Sequence, residues 1–435
     1  MNINEFKEKL FSIAKANGFE AQVEITEKSE FMLSYANNDI DQYKDASNST
    51  ITLKILKDGK IGKSISEKFD NPEELFTEAF SNWKITDSED ENFFYDGKDT
   101  YIEMDTYDGS FENTSVKEKI KFIKKLHDSA KCDERIVMVP NAVFQNIKIS
   151  KTLSNTLGLD ISSKMDGGYS YTIAISKDES THSGFWFEVG KKFEDLDPEE
   201  IGKKACKEAL SLLGAKSVKS GKYRVILRNT AFEDMLGLLK SMISAENVQK
   251  NMSPLKGKIN EKIGSNILTI KDLPYVKGSI NNRPFDDEGV PTKETTIFEN
   301  GIFKNYLYDL KTAKKDNVKS TGNSINGSIS PINLVIEKGD YSYEELIKKL
   351  KSGIIIVGVD GMHSGSNPVS GDFSLGARGY KVENGNIVGA VEQITISGNF
   401  VELLSKIEAI GNDWKHFGDT LTPSVLISEL DIAGE

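Results

Sequence analysis

Two blocks of alternating apolar and polar residues, each bracketed by helical periodicity, constrain this chain more than any other feature. The first block holds "AQVEITE", "EFMLSYA" and "STITLKILKDGKIGKSIS". A period of two sends every second side chain to one face of a sheet. Asp58-Gly59 interrupts the last segment as a two-residue hairpin turn, where both residues need positive φ. Ahead of the block, "MNINEFKEKLFSIAKANGFE" places Phe6, Leu10, Ile13 and Ala14 at helical spacing among charges, and Asn2 with Glu5 predicts a capping box. Behind it, "DNPEELFTEAFSNW" predicts a helix with Asn71 as N-cap, Pro72 in the first turn, and Glu73 and Glu74 at the positive end of the dipole.

The pattern then returns. "SVKEKIKFIKKLHDSAK" sets Val116, Ile120, Ile123 and Leu126 on one helix face, the strand-like "YSYTIAIS" and "GFWFEVG" follow, and "LDPEEIGKKACKEALSLLGA" closes the block. Asp197-Pro198-Glu199-Glu200 repeats the chemistry of Asn71-Pro72-Glu73-Glu74. Internal duplication and independent convergence on a common cap both account for this. The acidic, turn-rich "TDSEDENFFYDGKDTYIEMDTYDGSFENT" between the blocks reads as a solvated connection.

"GAKSVKSGKYRVILRN" marks a junction leading into a buried strand, Tyr223 to Leu227. Beyond it the chain is richer in strands and glycine turns. Glu299-Asn300-Gly301 and Glu383-Asn384-Gly385 predict two more hairpins. A helix in "SYEELIKKLKSG" precedes a buried strand, "SGIIIVGVDG". In "EQITISGNFVELLSKIEAIGND" a strand passes to a helix capped by Asn399, and "SVLISELDIAG" is a terminal strand. The expected fold class is α+β in two domains: 1–218, with a possible internal duplication, and a strand-rich 219–435.

The chemistry is harder to place. With 55 basic and 67 acidic residues the net charge is -12, which argues against a nucleic-acid surface. No apolar run approaches the roughly 18 residues that cross a bilayer, so a membrane is not expected, and the N-terminus reads as an amphipathic helix of a cytoplasmic protein. The two cysteines, Cys132 and Cys206, lie far apart outside any C-x-x-C pair, so neither a disulfide framework nor structural zinc is expected, and a reducing compartment fits. None of His127, His182, His363 and His416 forms an i,i+4 pair. His127 and Cys132 point to different sides of their helix. Asp286, Asp287 and Glu288 lack the alternation of a calcium loop and read first as a turn before a hairpin. "GSNPVSGDFSLGARGY", Gly365 to Tyr380, has no phosphate-loop spacing; it reads as a tight bend, with a strand edge open to a peptide as the alternative. Ser374 sits in no nucleophile elbow.

Three blocks carry a resemblance: "RPFDDEGVPTKETTIFENGIFKNYLYDLKTAKK", "STGNS" and "SGDFSLGARGYKVENGNIVGAVEQITISGNFVELLSKIEAIGND". In that order, over most of residues 220–435, they resemble the TldD/PmbA family, known as modulators of DNA gyrase and as two-subunit zinc metallopeptidases. In the TldD branch an H-E-x-x-x-H helix and a cysteine near the C-terminus hold zinc, with the glutamate as general base. Here the corresponding helix is "AFEDMLGLLKSMISAENVQK", Ala231 to Lys250, and Leu238, Leu239 and Ile243 stand where His, Glu and His are expected. No histidine occurs between Tyr223 and Met362, and "WKHFGDTLTPSVLI" has no cysteine, only His416 near its place. The chain therefore resembles the PmbA/TldE branch. That resemblance implies no catalytic residue and no metal in this chain, and zinc in a TldD-like partner. It implies a heterodimer with that H-E-x-x-x-H subunit, or a homodimer, acting on unfolded peptides without direct nucleic-acid contact. Arg283, Asp286, Asp287, Glu288, Asp372 and Arg378 are the candidate peptide or subunit contacts. A self-sufficient homodimeric hydrolase and a gyrase regulator working through protein contacts are the alternatives, and whether the chain is itself an enzyme stays open.

Overall fold

The computed structural model describes residues 2–86 and 92–435. Residues 87–91 of the acidic connection lie outside the described residues. The N-terminal domain begins with α1 (Ile3–Ala16), β1 (Glu20–Ala36), β2 (Asp39–Lys57), β3 (Lys60–Ser66) and α2 (Pro72–Ile85). After a short α3 (Ser110–Asn113) come α4 (Val116–Ala130), β4 (Ile136–Met138), β5 (Ala142–Asn155), β6 (Asp160–Lys177), β7 (Thr181–Gly190) and α5 (Pro198–Ser211). All seven strands form one sheet, in which β1 pairs antiparallel with β5 while β4 and β7 both pair with β6. "AQVEITE" and "EFMLSYA" are thus one strand rather than two. Lys28 and Ser29 between them pair with Asn48 and Ser47 on one side and with Ile149 and Lys148 on the other.

The two halves share one plan. Each has a helix, a three-strand meander (β1-β2-β3 and β5-β6-β7) and a closing helix, the second half adding the short β4 beside β6, and their first long strands, β1 and β5, meet at the centre of the sheet. Gly62 of β3 lies under α2, where an added Cβ would come 2.1 Å from the Ala79 carbonyl oxygen. Gly184 of β7 lies under α5, where it would come 2.1 Å from that of Ala205. A larger residue at either position would lift the closing helix off the sheet. The expected caps form: Asn2 with Glu5 as a capping box, Asn71 on Glu74 N–H, and Asp197 on the N–H groups of Glu199 and Glu200. On α4, Val116 is exposed and Lys119 is buried in its stead, its ammonium 4.3 Å from the Phe31 ring centroid.

Two expectations for this half need correction. Cys132 and Cys206 are disulfide-bonded across 74 residues, with Cα atoms 6.5 Å apart. Helices α4 and α5 pack so closely that a Cβ on Gly202 would lie 2.6 Å from the Leu126 carbonyl oxygen, which brings the remote cysteines together. The cysteine count consequently gives no support for a reducing compartment. The described part of the acidic connection, from residue 92 onward, is a strap bound to the protein rather than a free linker. Phe94 and Tyr95 are buried, and the Asn155 side-chain amide donates to the Tyr95 carbonyl at 2.8 Å.

The C-terminal domain starts with β8 (Gly221–Leu227), α6 (Asn229–Met242), α7 (Ala245–Gln249), β9 (Ile270–Asp272), β10 (Thr295–Glu299), β11 (Ile302–Phe303) and α8 (Leu310–Lys315). It continues with β12 (Ser324–Ile325), β13 (Ser328–Ile329), β14 (Leu334–Ile336), α9 (Tyr343–Leu350), β15 (Gly353–Asp360), α10 (Met362–Gly365), β16 (Asp372–Glu383) and β17 (Asn386–Asn399). The last elements are α11 (Phe400–Ser405), β18 (Ile407–Ile410), β19 (Lys415–His416), β20 (Thr420–Thr422) and β21 (Val425–Ala433). One sheet runs β17-β16-β15-β8-β21-β18, and the pairing of β17 with β21 closes five of its strands into a ring. A second sheet runs β11-β10-β9-β14-β20-β19. Helix α6 and its neighbours fill the core with Phe232, Leu236, Leu239 and Met242. The Asn-Gly turns have both residues at positive φ, as predicted: 49° and 76° at Asn300-Gly301, 52° and 72° at Asn384-Gly385.

Here too the structure departs from the sequence reading. The helix expected from Ala231 to Lys250 breaks after Met242. Its main chain turns aside to pair with Leu307, whose N–H donates to the Ile243 carbonyl at 2.8 Å and whose carbonyl accepts from Ala245 N–H at 3.0 Å. The segment Gly371–Tyr380 is not a free strand edge: β17 pairs with it from Asp372, and on the other side β15 pairs from Gly376 while Asn367 N–H donates to the Asp372 carbonyl at 2.8 Å and Ser366 bridges Phe373. Among the described residues no helix is long and apolar enough to cross a membrane.

Candidate functional site

Helix α6 divides its residues sharply. Leu238, Leu239 and Ile243 are 3%, 0% and 0% exposed and belong to the core. Thr230, Glu233 and Asp234 instead line a cavity of about 110 Å³ between the domains, shared with Trp186 and Phe187 of β7. Arg228, just ahead of the helix, reaches across to α5 and donates to both carboxylate oxygens of Glu208, at 2.7 and 3.0 Å. Lys415 closes the opposite wall. Its ammonium donates to the Phe187 carbonyl at 2.9 Å, lies 3.0 Å from Glu188 Oε1, and stands 4.3 Å from the Trp186 ring centroid. Such an interdomain pocket, mostly walled by rings and fixed ion pairs, suits a clamp or a small recognition site.

Burial dominates its electrostatics. It pushes the Glu233 carboxyl up to about 7 against the pull of Lys240, whose ammonium lies 3.7 Å away and also binds Asp419 at 2.7 Å. Asp234, exposed at the mouth of the cavity, is raised to about 6 by partial withdrawal of its carboxyl from water, opposed by Arg378. Arg378 itself donates to Asp360 at 2.7 Å. Burial lowers Lys415 and His416, and for His416 the neighbouring Lys415 adds to it. None of Arg228, Glu208, Trp186 and Lys415 was legible as a site residue, because the ion-paired and stacked partners are remote in sequence.

The three adjacent carboxylates go to three places. Asp286 is fully buried; its Oδ1 accepts from the N–H groups of Glu288 at 2.9 Å and Val290 at 3.0 Å, and its Oδ2 from Ser324 N–H at 3.0 Å. Asp287 turns to the N-terminal domain, where Lys151 donates to it at 2.7 Å. Glu288 accepts from Leu310 N–H at 2.8 Å, at the start of α8. Half-buried Arg283 donates through Nε to the Asn281 carbonyl at 3.3 Å. Burial pushes Asp286 up to about 7 and Glu288 up to about 8. The turn is an interdomain dock. The Tyr101 hydroxyl of the strap donates to the Gly289 carbonyl at 2.8 Å, and Val290 packs with Tyr95, Leu153 and Leu159. Asp372 is exposed and accepts from the Asn399 side-chain amide at 2.9 Å.

Comparison with known proteins decides the lineage. A family model described as the PmbA/TldA metallopeptidase C-terminal domain matches residues 220–434, and one for the central domain of the same group matches residues 109–213. The chain belongs to the PmbA/TldD family. It is 31% identical over 304 residues to a metalloprotease PmbA homolog of Buchnera aphidicola, covering 69% of this chain and 67% of that one. A crystal structure from Thermotoga maritima, described as a proposed modulator of a DNA gyrase, is 50% identical, with a TM-score of 0.96 over 99% of this chain and 100% of that one. TldE from Thermococcus kodakarensis, 23% identical with a TM-score of 0.92 over 99% of this chain and 100% of that one, shares the fold.

The zinc that the family name implies can be tested against the residues present. On α6 the cavity face offers two carboxylates and no imidazole or thiolate, and Lys240 and Arg378 already stand against them. Among the described residues no three of His, Cys, Asp or Glu are grouped to hold a metal. This donor set does not fit a zinc ion of the PmbA/TldD metallopeptidase type.

Proposed function

We propose that this chain is the non-catalytic, PmbA/TldE-like subunit of a two-chain metallopeptidase. It pairs with a TldD-like H-E-x-x-x-H subunit that carries the zinc, and it helps to hold unfolded peptides at the partner's metal. The observation that carries this reading is α6: the positions aligned with the metal motif are core-forming Leu238, Leu239 and Ile243, while the open face bears Thr230, Glu233 and Asp234. Of the candidate contacts, Asp286 and Glu288 are engaged by main-chain donors, Asp287 by Lys151 and Arg283 by the Asn281 carbonyl, whereas Asp372 is exposed and Arg378 lines the interdomain cavity; these last two are the better-placed groups for partner or peptide.

Co-expression with the same organism's H-E-x-x-x-H paralogue tests this. The expected result is a mixed complex on size exclusion, zinc that follows the paralogue, and peptide cleavage only by the complex. Stoichiometric metal and chelator-sensitive cleavage by this chain alone would replace the proposal with the self-sufficient hydrolase. The Thermotoga maritima relative, as a proposed gyrase modulator, favours a second reading, a gyrase regulator acting through protein contacts. A pull-down that retains no gyrase subunit removes its support.

A further inference from the structure

Strand β6 is 18 residues long, but its two edges are not equally covered. One edge pairs with β5 from Asp160 to Thr172 and with β4 near Ile175. The other pairs with β7 only from Gly168 to Lys177. Between Asp160 and Asp166 no strand lies on that second edge. Asp166 N–H donates to the Thr106 carbonyl at 3.2 Å and the Lys164 carbonyl accepts from the Thr106 hydroxyl at 2.5 Å, so even-numbered residues direct their main-chain groups to this side. The β5–β6 register runs without a bulge. Strand periodicity therefore turns the N–H and C=O of Ser162 and the N–H of Lys164 the same way. Ser162 is exposed, and none of the described residues hydrogen-bonds to these three atoms.

This free stretch continues the lane that β7 occupies. The strap fills the lane at Thr106 and then draws away, leaving a groove of about 730 Å³ between β6 residues 161–164 and strap residues 101–105, floored in part by Phe285 of the C-terminal domain. That volume is of the size that takes a ligand. A lane of sheet with outward main-chain donors and acceptors is filled by an extended polypeptide. The exposed charges of the groove are Glu103 and Asp105 on the strap wall against Lys164, whose ammonium is drawn onto the Tyr107 ring, 3.4 Å from its centroid; with two acids to one base there and a net charge of -12 on the whole chain, a basic segment is favoured.

We infer that the β6 edge at Ser162 and Lys164 binds an extended, basic peptide segment by strand addition. Recognition is through main chain and so tolerates many sequences. The inference is independent of the subunit reading, since it needs neither a partner nor a metal.

The test uses the full chain alone and a fluorescein-labelled peptide, Lys-Thr-Val-Thr-Val-Thr-Lys, followed by fluorescence anisotropy. Saturable binding is expected, weakened about fivefold to tenfold or more when alternate peptide amides are N-methylated in the pairing register, since at least one main-chain bond is lost. Ser162→Pro removes an outward N–H without removing a ladder bond to β5, and is expected to weaken binding by a similar factor. Ser162→Ala keeps that N–H and is expected to leave binding within about twofold. Absence of saturable binding, or equal binding of both N-methylated registers and the parent peptide, overturns the inference. Should Ser162→Pro fail to fold, the N-methylated peptides on the unaltered chain still decide. Hydrogen exchange on binding is expected to slow within residues 160–166; slowing only elsewhere also overturns it.

Discussion

His182 of β7 holds Glu392 of β17 across the domain boundary, Nδ1 to Oε2 at 2.8 Å, while its Nε2 lies 3.0 Å from Asp178 Oδ1. With both ring nitrogens facing carboxylates the imidazole is a cation in the folded chain. Burial works against that charge, but the hydrogen bonds to Asp178 and Glu392 prevail and the pKa lies above its ordinary value. A raised folded pKa contributes stability that is full below about 6.5 and is lost as pH rises through the folded value. Glu392→Gln is therefore expected to cost about 1–3 kcal/mol near pH 6 and less at pH 9, read by urea unfolding at each pH. A cost that does not change with pH would show that the ring is neutral.

The Cys132–Cys206 bond closes a loop of 74 residues between α4 and α5. Thiol titration of the unfolded protein is expected to find no free thiol before reduction and two after. The Cys132→Ser, Cys206→Ser double variant is expected to lose about 2–4 kcal/mol. Two free thiols in the freshly purified, unreduced protein would count against the bond.

Glu288 is held against the start of α8, where withdrawal from water and then Asp286 push its carboxyl up to about 8. For a raised carboxyl, stability is full below the unfolded value of about 4.3 and is lost as pH climbs towards 8. Glu288→Gln keeps an acceptor for Leu310 N–H and cannot ionise. It is expected to be more stable than the parent at pH 8 by on the order of 1 kcal/mol or more, with the gap closing towards pH 5. Thermal melts at the two pH values check this; a gap that widens on acidification contradicts it.

Helix α6 predicts opposite outcomes two residues apart, on opposite faces. Gly237 has nothing within 4 Å of where a Cβ would stand, so Gly237→Ala is expected to raise stability by about 0.5–1 kcal/mol. Leu239 is fully buried, and Leu239→Ala is expected to cost about 2–5 kcal/mol. Denaturant midpoints distinguish the two. If the subunit reading holds, Gly237→Ala also reports whether a partner presses on that face, by a weaker complex despite a more stable chain.

The features legible in the sequence were those whose cause lies within a few residues. Asn71 caps α2 because its side chain reaches an N–H three residues on, and Asn300-Gly301 turns a hairpin because both residues tolerate positive φ. Family membership was legible too, because the blocks from Arg283 to Lys315 and Ser370 to Asp413 stand intact in the chain. The turn at Asp286, Asp287 and Glu288 was legible as well, and there Gly289 N–H donates to the Asp286 carbonyl at 3.1 Å.

What only the tertiary structure decided depends on residues brought together from far apart. Cys132 meets Cys206 because α4 and α5 pack side by side, Arg228 meets Glu208 across the domain boundary, and α6 ends where Leu307 offers its main chain to Ile243. The free edge of β6 is a matter of length alone, since β7 stops opposite Gly168 and leaves Ser162 unpaired. Local propensity sets how a segment is shaped, but the packing of whole helices and sheets selects its neighbours, and burial by those neighbours shifts Glu233 and Glu288 away from ordinary carboxylates.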